Sequence, residues 1–148
     1  MILQLAGTRR TMTDVANSVG FLLAKAYQRA CAIYKEQFER YDLTPQQFGL
    51  LRFLWEEDGI TQVELSNRSQ IDRTTIGGLI DRLEQSGLVQ RLPHPGDRRA
   101  YRISLTGEGK RLEDELIPLA MELHRKILAP LTAEEIATLT NILRKLRY

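Results

Sequence analysis

The stretch that decides the fold runs from Thr61 to Leu105: TQVELSNRSQIDRTTIGGLIDRLEQSGLVQRLPHPGDRRAYRISL. It opens with Thr61-Gln-Val-Glu64, a capping box that starts a helix, with Val63 and Leu65 placed to anchor that helix inward. Asp72 then caps a second helix that begins at Arg73, Thr74 and Thr75. Within it Ile76, Leu79, Ile80 and Leu83 recur at i, i+3, i+4 and i+7, which makes one apolar stripe. Thr74, Gly78, Asp81, Arg82 and Gln85 fall on the opposite face. Gly87 stops the helix, and Leu88 to Leu92 reads as a short strand. His94-Pro95-Gly96-Asp97 suits a type II turn, with Pro at its second position and Gly at its third. A returning strand, Ala100 to Leu105, sets Tyr101, Ile103 and Leu105 on one side and Arg102 and Ser104 on the other. Two helices followed by a hairpin tipped with Arg98 and Arg99 predict a winged helix-turn-helix.

Outward from this lobe, both ends of the chain read as helix. Residues 14–40 place Val15, Val19, Leu22, Leu23, Ala26, Ala30, Ile33 and Tyr34 on one side, a long apolar face that needs a partner. Asp42-Leu43 break that pattern, and Thr44-Pro-Gln-Gln47 restarts it as a second capping box with Pro at the first helical position. Phe48, Leu51, Leu54 and Trp55 supply a core face before Asp58-Gly59. After the hairpin, Thr106 caps a helix over about 107–129 with Leu112, Leu116, Leu119, Leu123 and Ile127 along it, and Pro118 should bend it. Thr132-Ala-Glu-Glu135 is a third box, opening a helix over 133–147 that repeats Ile136, Leu139, Ile142, Leu143 and Leu146. The expected fold is mainly α with a small two- or three-stranded β wing. A winged lobe over about 44–105 joins helices of about 14–40 and 107–147, which suit either a dimer or a monomeric bundle.

The 148 residues suffice for one domain, and 43% hydrophobic with 27% charged residues is ordinary globular composition. The apolar runs are too short for a membrane span. The start, MILQLAGTRRTMTD, lacks the pattern of a secretory signal. One cysteine, Cys31, cannot form an internal disulfide, which fits the cytoplasm. The net charge of +2 is small, but residues 66–105 carry seven arginines against four acids while both flanking segments are near balance. That concentrates the basic excess where a phosphate-binding surface would need it. The histidines, His94 and His124, have no companions at metal spacing, and no phosphate loop or nucleophile motif is present, so no metal, cofactor or catalysis is expected.

In a DNA-binding reading the helix at 72–86 lies in a major groove. Arg73 can then pair with a guanine, Thr74, Thr75 and Gly78 face bases or phosphate, and Arg68, Ser69, Gln70 and Arg82 hold phosphates. The bland alternative is a well-capped helix and a solvated polar turn. Gly77-Gly78 costs roughly 2 kcal/mol against two alanines. It is explained either by close backbone approach to DNA or a neighbouring helix, or by a helix with stability to spare. Asp81 and Arg82 can bridge to the wing or to phosphate; the alternative is an ordinary surface ion pair, which contributes little.

Asp81-Arg82-Leu83-Glu84, Gly87-Leu88-Val89, Asp97-Arg98-Arg99 and Ser104-Leu105-Thr106, in this order and spacing, resemble the DNA-binding lobe of the MarR (multiple antibiotic resistance regulator) family. The flanking helices extend the resemblance over nearly the whole chain. Gly77 and Gly78 depart from it, since the family usually carries larger, often polar or basic, residues there. The resemblance implies a cytoplasmic, homodimeric regulator, most often a repressor, on double-stranded DNA. It assigns the minor-groove role to Arg99, with Asp97 orienting it by an ion pair. It also implies a small aromatic or phenolic effector between the dimer helices and the lobe, where Phe21, Tyr27, Phe48, Phe53 and Trp55 could line a pocket; the alternative is that these aromatics are core. Two other functions stay open: a winged-helix module for protein partners, and a redox-responsive regulator using Cys31.

Overall fold

The computed structural model describes residues 14–147. The reading of the N-terminus as lacking a signal falls mostly on residues outside that range. The long N-terminal pattern is not one helix. Val15–Asn17 form a single 3-10 turn, and Ser18 then caps α1 (Val19–Phe38) by accepting from the Phe21 N–H. A short 3-10 turn, Glu39–Tyr41, ends with Asp42 in the left-handed region at φ 53°. All three capping boxes form. Thr44 opens α2 (Pro45–Glu56), Thr61 opens α3 (Gln62–Ser69), and Thr132 opens α6 (Ala133–Leu146). In each, the threonine hydroxyl accepts the backbone N–H three residues on at 3.2 Å, and the acid or amide reaches back.

Between α2 and α3 lies a strand that sequence reading passed over, β1 (Ile60–Thr61). It pairs antiparallel with β3 (Asp97–Leu105), which pairs in turn with β2 (Val89–His94), giving the order β1-β3-β2. Two residues of strand carry too little periodicity to be seen in advance. Asp58 secures the junction: its carboxylate accepts the Leu105 N–H at 2.7 Å, while the Gly59 N–H donates to the Ile103 carbonyl at 3.1 Å.

The core gathers around α4 (Arg73–Gln85), whose Ile76, Leu79, Ile80 and Leu83 are all buried as the stripe requires. They meet Leu50, Leu51 and Leu54 of α2, Leu65 of α3, and Val89 and Ile103 of the sheet. Val63 does not join them and stands 47% exposed; it lies two positions before Leu65, on the other side of a helical turn. α5 (Gly107–Leu128) runs continuously through Pro118 and docks its first turn tightly. The Trp55 indole N–H donates to the Gly109 carbonyl at 2.9 Å, and the Thr106 hydroxyl donates to the Gly87 carbonyl at 2.6 Å. A Cβ at Gly109 would lie 2.1 Å from the Leu88 carbonyl oxygen, so only glycine fits there.

The terminal helices are different. α6 buries none of its residues, and Val19, Leu22 and Leu23 of α1 are exposed, Val19 at 69%. No helix among the described residues is long and apolar enough to cross a membrane.

Candidate nucleic-acid interface

Asp72 builds the start of α4 as sequence reading expected. One carboxylate oxygen accepts the Thr74 and Thr75 N–H groups at 3.1 and 2.9 Å, and the other accepts the Thr75 hydroxyl at 2.6 Å. The Thr75 hydroxyl bond, then the backbone bonds, hold the Asp72 carboxyl below its ordinary range. The same chemistry lowers Glu64, chiefly through the Thr61 backbone N–H. Both helices of the helix-turn-helix therefore have a carboxylate bonded into their first turn, Asp72 as the cap of α4 and Glu64 reaching back to the Thr61 cap of α3. The turn between them passes through Gln70, in the left-handed region at φ 56°. Ser69 is half-buried there, its hydroxyl donating to the Ser66 carbonyl and accepting the Ile71 N–H, both at 3.4 Å. Arg68 is engaged by Glu57 at 2.5 Å.

The outer face of α4 presents Arg73, Thr74, Gly78, Asp81, Arg82 and Gln85, all exposed. Apart from its chain neighbours and its own helix backbone, no described residue stands within 4 Å of a Cβ built on Gly78, and on Gly77 it would make only an ordinary 3.5 Å contact with Gln62. Packing against a neighbouring helix of this chain therefore does not explain the pair. Among the described residues, the guanidinium groups of Arg73, Arg82, Arg98 and Arg99 have no hydrogen-bond or ion-pair partner. Arg82 does not bridge to the wing; Asp81 does.

The wing also departs from expectation in detail. Gly96 is not among the residues with positive φ, so the tip is not a type II turn; its N–H donates instead to His94 Nδ1 at 3.0 Å. The register shifts between Pro93 and His94, and β3 extends out to Asp97. Asp97 does not pair with the Arg99 guanidinium. Its carboxylate accepts the Arg99 backbone N–H at 2.9 Å, which shapes the turn and leaves the arginine head free. Tyr101 shares a strand side with Ile103 and Leu105 but is 55% exposed, because the hairpin has already run past the core.

Sequence reading missed Arg91. From β2 its guanidinium reaches Asp81 at 2.6 Å and Glu84 at 3.0 Å on α4. These contacts cross the helix–strand turn, so neither helical nor strand periodicity announces them.

The five aromatic residues expected to line one pocket are separated. Tyr27 and Phe48 share a cavity of about 270 Å³ between α1 and α2 with Cys31, Tyr34 and Arg52. Phe21 lies on the exposed start of α1 beneath Lys25 Nζ. Phe53 is half-buried against the core, and Trp55 is committed to Gly109 and stacks edge-on to Phe48 at 6.0 Å. Cys31 is half-buried, and its thiol beside Tyr27 raises the tyrosine hydroxyl above its ordinary pKa. Burial, opposed by Arg52, raises Tyr34.

The sequence pattern of the MarR family matches residues 43–101, the lobe itself. The chain is 39% identical over 136 residues to the HTH-type transcriptional repressor NicR of Pseudomonas putida, covering 92% of this chain and 86% of the relative. A mutant MarR from Escherichia coli complexed with operator DNA superposes with a TM-score of 0.82 at 31% identity, covering 88% of this chain and 94% of that one. A structure of Bordetella bronchiseptica BpsR, whose DNA binding is regulated by 6-hydroxynicotinic acid, gives 0.79 at 32% identity, covering 86% and 97%. These relatives are transcription regulators, not enzymes. The lobe and the helices on both sides of it are matched together, and the chain belongs to the MarR family of winged-helix, DNA-binding transcription regulators.

Proposed function

We propose that the protein is a transcriptional repressor that binds a pseudo-palindromic operator as a homodimer and releases it when a small aromatic or phenolic effector binds. The observation that carries this reading is the outer arginines: Arg73 at the start of α4 and Arg98 and Arg99 at the wing tip hold their guanidinium charge free of partners among the described residues. Set in a major groove, α4 brings Arg73 to a guanine edge and Thr74 and Thr75 to bases or phosphate. The Thr75 hydroxyl already donates to Asp72, so toward DNA it offers acceptor lone pairs and a methyl group. Arg68, Ser69, Gln70 and Arg82 flank the groove as phosphate contacts. Arg99, on a narrow hairpin, enters the adjacent minor groove, where negative potential is concentrated.

The exposed apolar faces of α1 and α6 support the dimer, since an amphipathic helix with no buried residue lacks the packing that stabilises helices in water. A twofold dimer sets the two lobes on half-sites about one helical turn, roughly 34 Å, apart. The effector seat is the cavity of Tyr27, Tyr34 and Phe48, between the dimer helix α1 and the lobe helix α2. A ligand there favours a dimer whose lobes no longer match that spacing. Regulation of the Bordetella relative by 6-hydroxynicotinic acid supports a ligand of this kind.

Selection of bound duplexes from a random-sequence pool tests the reading. An enriched inverted repeat is expected, with preference at one position relaxed by Arg73→Ala and affinity lowered by Arg99→Ala. A pool with no enriched sequence would overturn it in favour of a protein-binding lobe.

A further inference from the structure

The hairpin is held by its buried face and by the short pairing of β3 with β1, and the buried face ends at a definite residue. Directly paired residues share a face of the sheet. Val89 pairs with Leu105 and Arg91 with Ile103, and Val89, Leu105 and Ile103 are all buried against the core. The next pair on that face, Pro93 with Tyr101, is exposed. Arg91 therefore marks the point where apolar anchorage stops. Its side chain, 27% exposed, turns onto α4 and forks between Asp81 and Glu84, which lie three residues apart on one face of that helix. Among the described residues this fork is the outermost hydrogen-bonded tie between the hairpin and α4. Beyond it lie the register shift, the turn and Arg99. A two-stranded ribbon is marginally ordered by itself, and a bulge changes its twist. On the β2 side, where β1 gives no support, the direction of everything outside Arg91 thus depends on how firmly Arg91 is held.

We propose that Arg91 is a positioning residue for DNA recognition: its fork to Asp81 and Glu84 fixes the wing's angle to α4, so that Arg99 and Arg73 engage the DNA in one register. The inference rests on the DNA-binding reading above. The role belongs to orientation more than to stability, because ion pairs as exposed as these contribute little to folding. A lysine cannot replace the fork, since it offers a point charge where the planar guanidinium presents parallel N–H groups to two carboxylates. The fork also keeps two adjacent carboxylates on the outer face of α4 occupied and away from phosphate.

The test is a double-mutant cycle on a duplex selected from the random pool, with wild type, Arg91→Ala, Arg99→Ala and the double variant. If Arg91 positions the wing, Arg99→Ala lowers affinity about tenfold or more in the wild-type background and about threefold or less in the Arg91→Ala background. An equal factor in both backgrounds overturns the proposal. If Arg91→Ala does not fold, Arg91→Lys enters the same cycle with the same expectation. Amide hydrogen exchange without DNA reads the clamp separately. Arg91→Ala should speed exchange in the hairpin outside residue 91 while Ile103 and Leu105 keep their protection. Unchanged exchange at the wing would also overturn it. Were the wild-type chain to bind no duplex, the DNA-binding reading would fail by itself, and the exchange result would still decide whether Arg91 holds the wing.

Discussion

The winged lobe and the terminal helices are built from similar amphipathic sequence and end in opposite states. In the lobe, the apolar stripe of α4 is buried by α2, α3 and the sheet. In α6, a stripe of the same periodicity, Ile136, Leu139, Ile142, Leu143 and Leu146, contains no buried residue. Both helices are well capped, so local chemistry does not distinguish them. The difference lies in what the chain supplies for each face to meet. Periodicity states that a face must be covered; only the three-dimensional arrangement says whether its own chain covers it.

The sharpest way to break this contrast is Ile142→Glu. It should abolish self-association in sedimentation while the hydrogen-exchange protection of the lobe remains. A variant that stays dimeric, or a lobe that unfolds with it, would refute the division. Next in size, Leu83→Ala in the fully buried stripe should cost about 2–5 kcal/mol in denaturant unfolding, the price of an unfilled core cavity. Gly109→Ala should cost about 1–3 kcal/mol by forcing α5 away from Leu88, a joint the terminal helices lack. Gly78→Ala should act in the other direction. Open space surrounds that position, so helix propensity raises stability by about 0.8–1 kcal/mol, while DNA affinity falls if the backbone approaches the duplex. A loss of stability would expose a packing role that the structure does not contain.

The smallest effect is electrostatic. Asp72 and Glu64 have folded-state values below their ordinary 3.8 and 4.5. Their contribution is present at neutral pH and is lost as pH falls from the ordinary carboxylate range through the lowered values. Carboxylate titration by NMR should place both below ordinary values, and the first turns of α3 and α4 should fray together as they protonate. Ordinary values would mean the caps are not ionised partners of the helix ends.

Much of the lobe was legible because its signals are local. Capping boxes at Thr44, Thr61 and Thr132, the Asp72 cap and the α4 stripe each act within a few residues of sequence, and each forms. The departures involve partners distant in sequence or directions that pattern does not encode. β1 exists because Asp58 and Gly59 meet β3 across more than forty residues. Arg91 finds its carboxylates across a turn. Asp97 was expected to hold the Arg99 head and binds its backbone instead, since a carboxylate two residues before an N–H at a turn reaches that donor first. The expected aromatic group divides for a similar reason, with Tyr27 and Phe48 left in one cavity. Helical spacing placed Trp55 near Phe48, but the indole N–H required an acceptor and took the Gly109 carbonyl.

The central claim is that α4 and the wing read duplex DNA. The most direct measurement is a salt-series titration of the purified protein on its selected duplex and on a scrambled duplex of equal length. The account predicts steep weakening with salt on both, with log affinity falling by about 0.9 per phosphate contact per log unit of salt, and tighter binding to the selected duplex throughout. Binding that ignores salt, or equal affinity for both duplexes at every salt concentration, would contradict it.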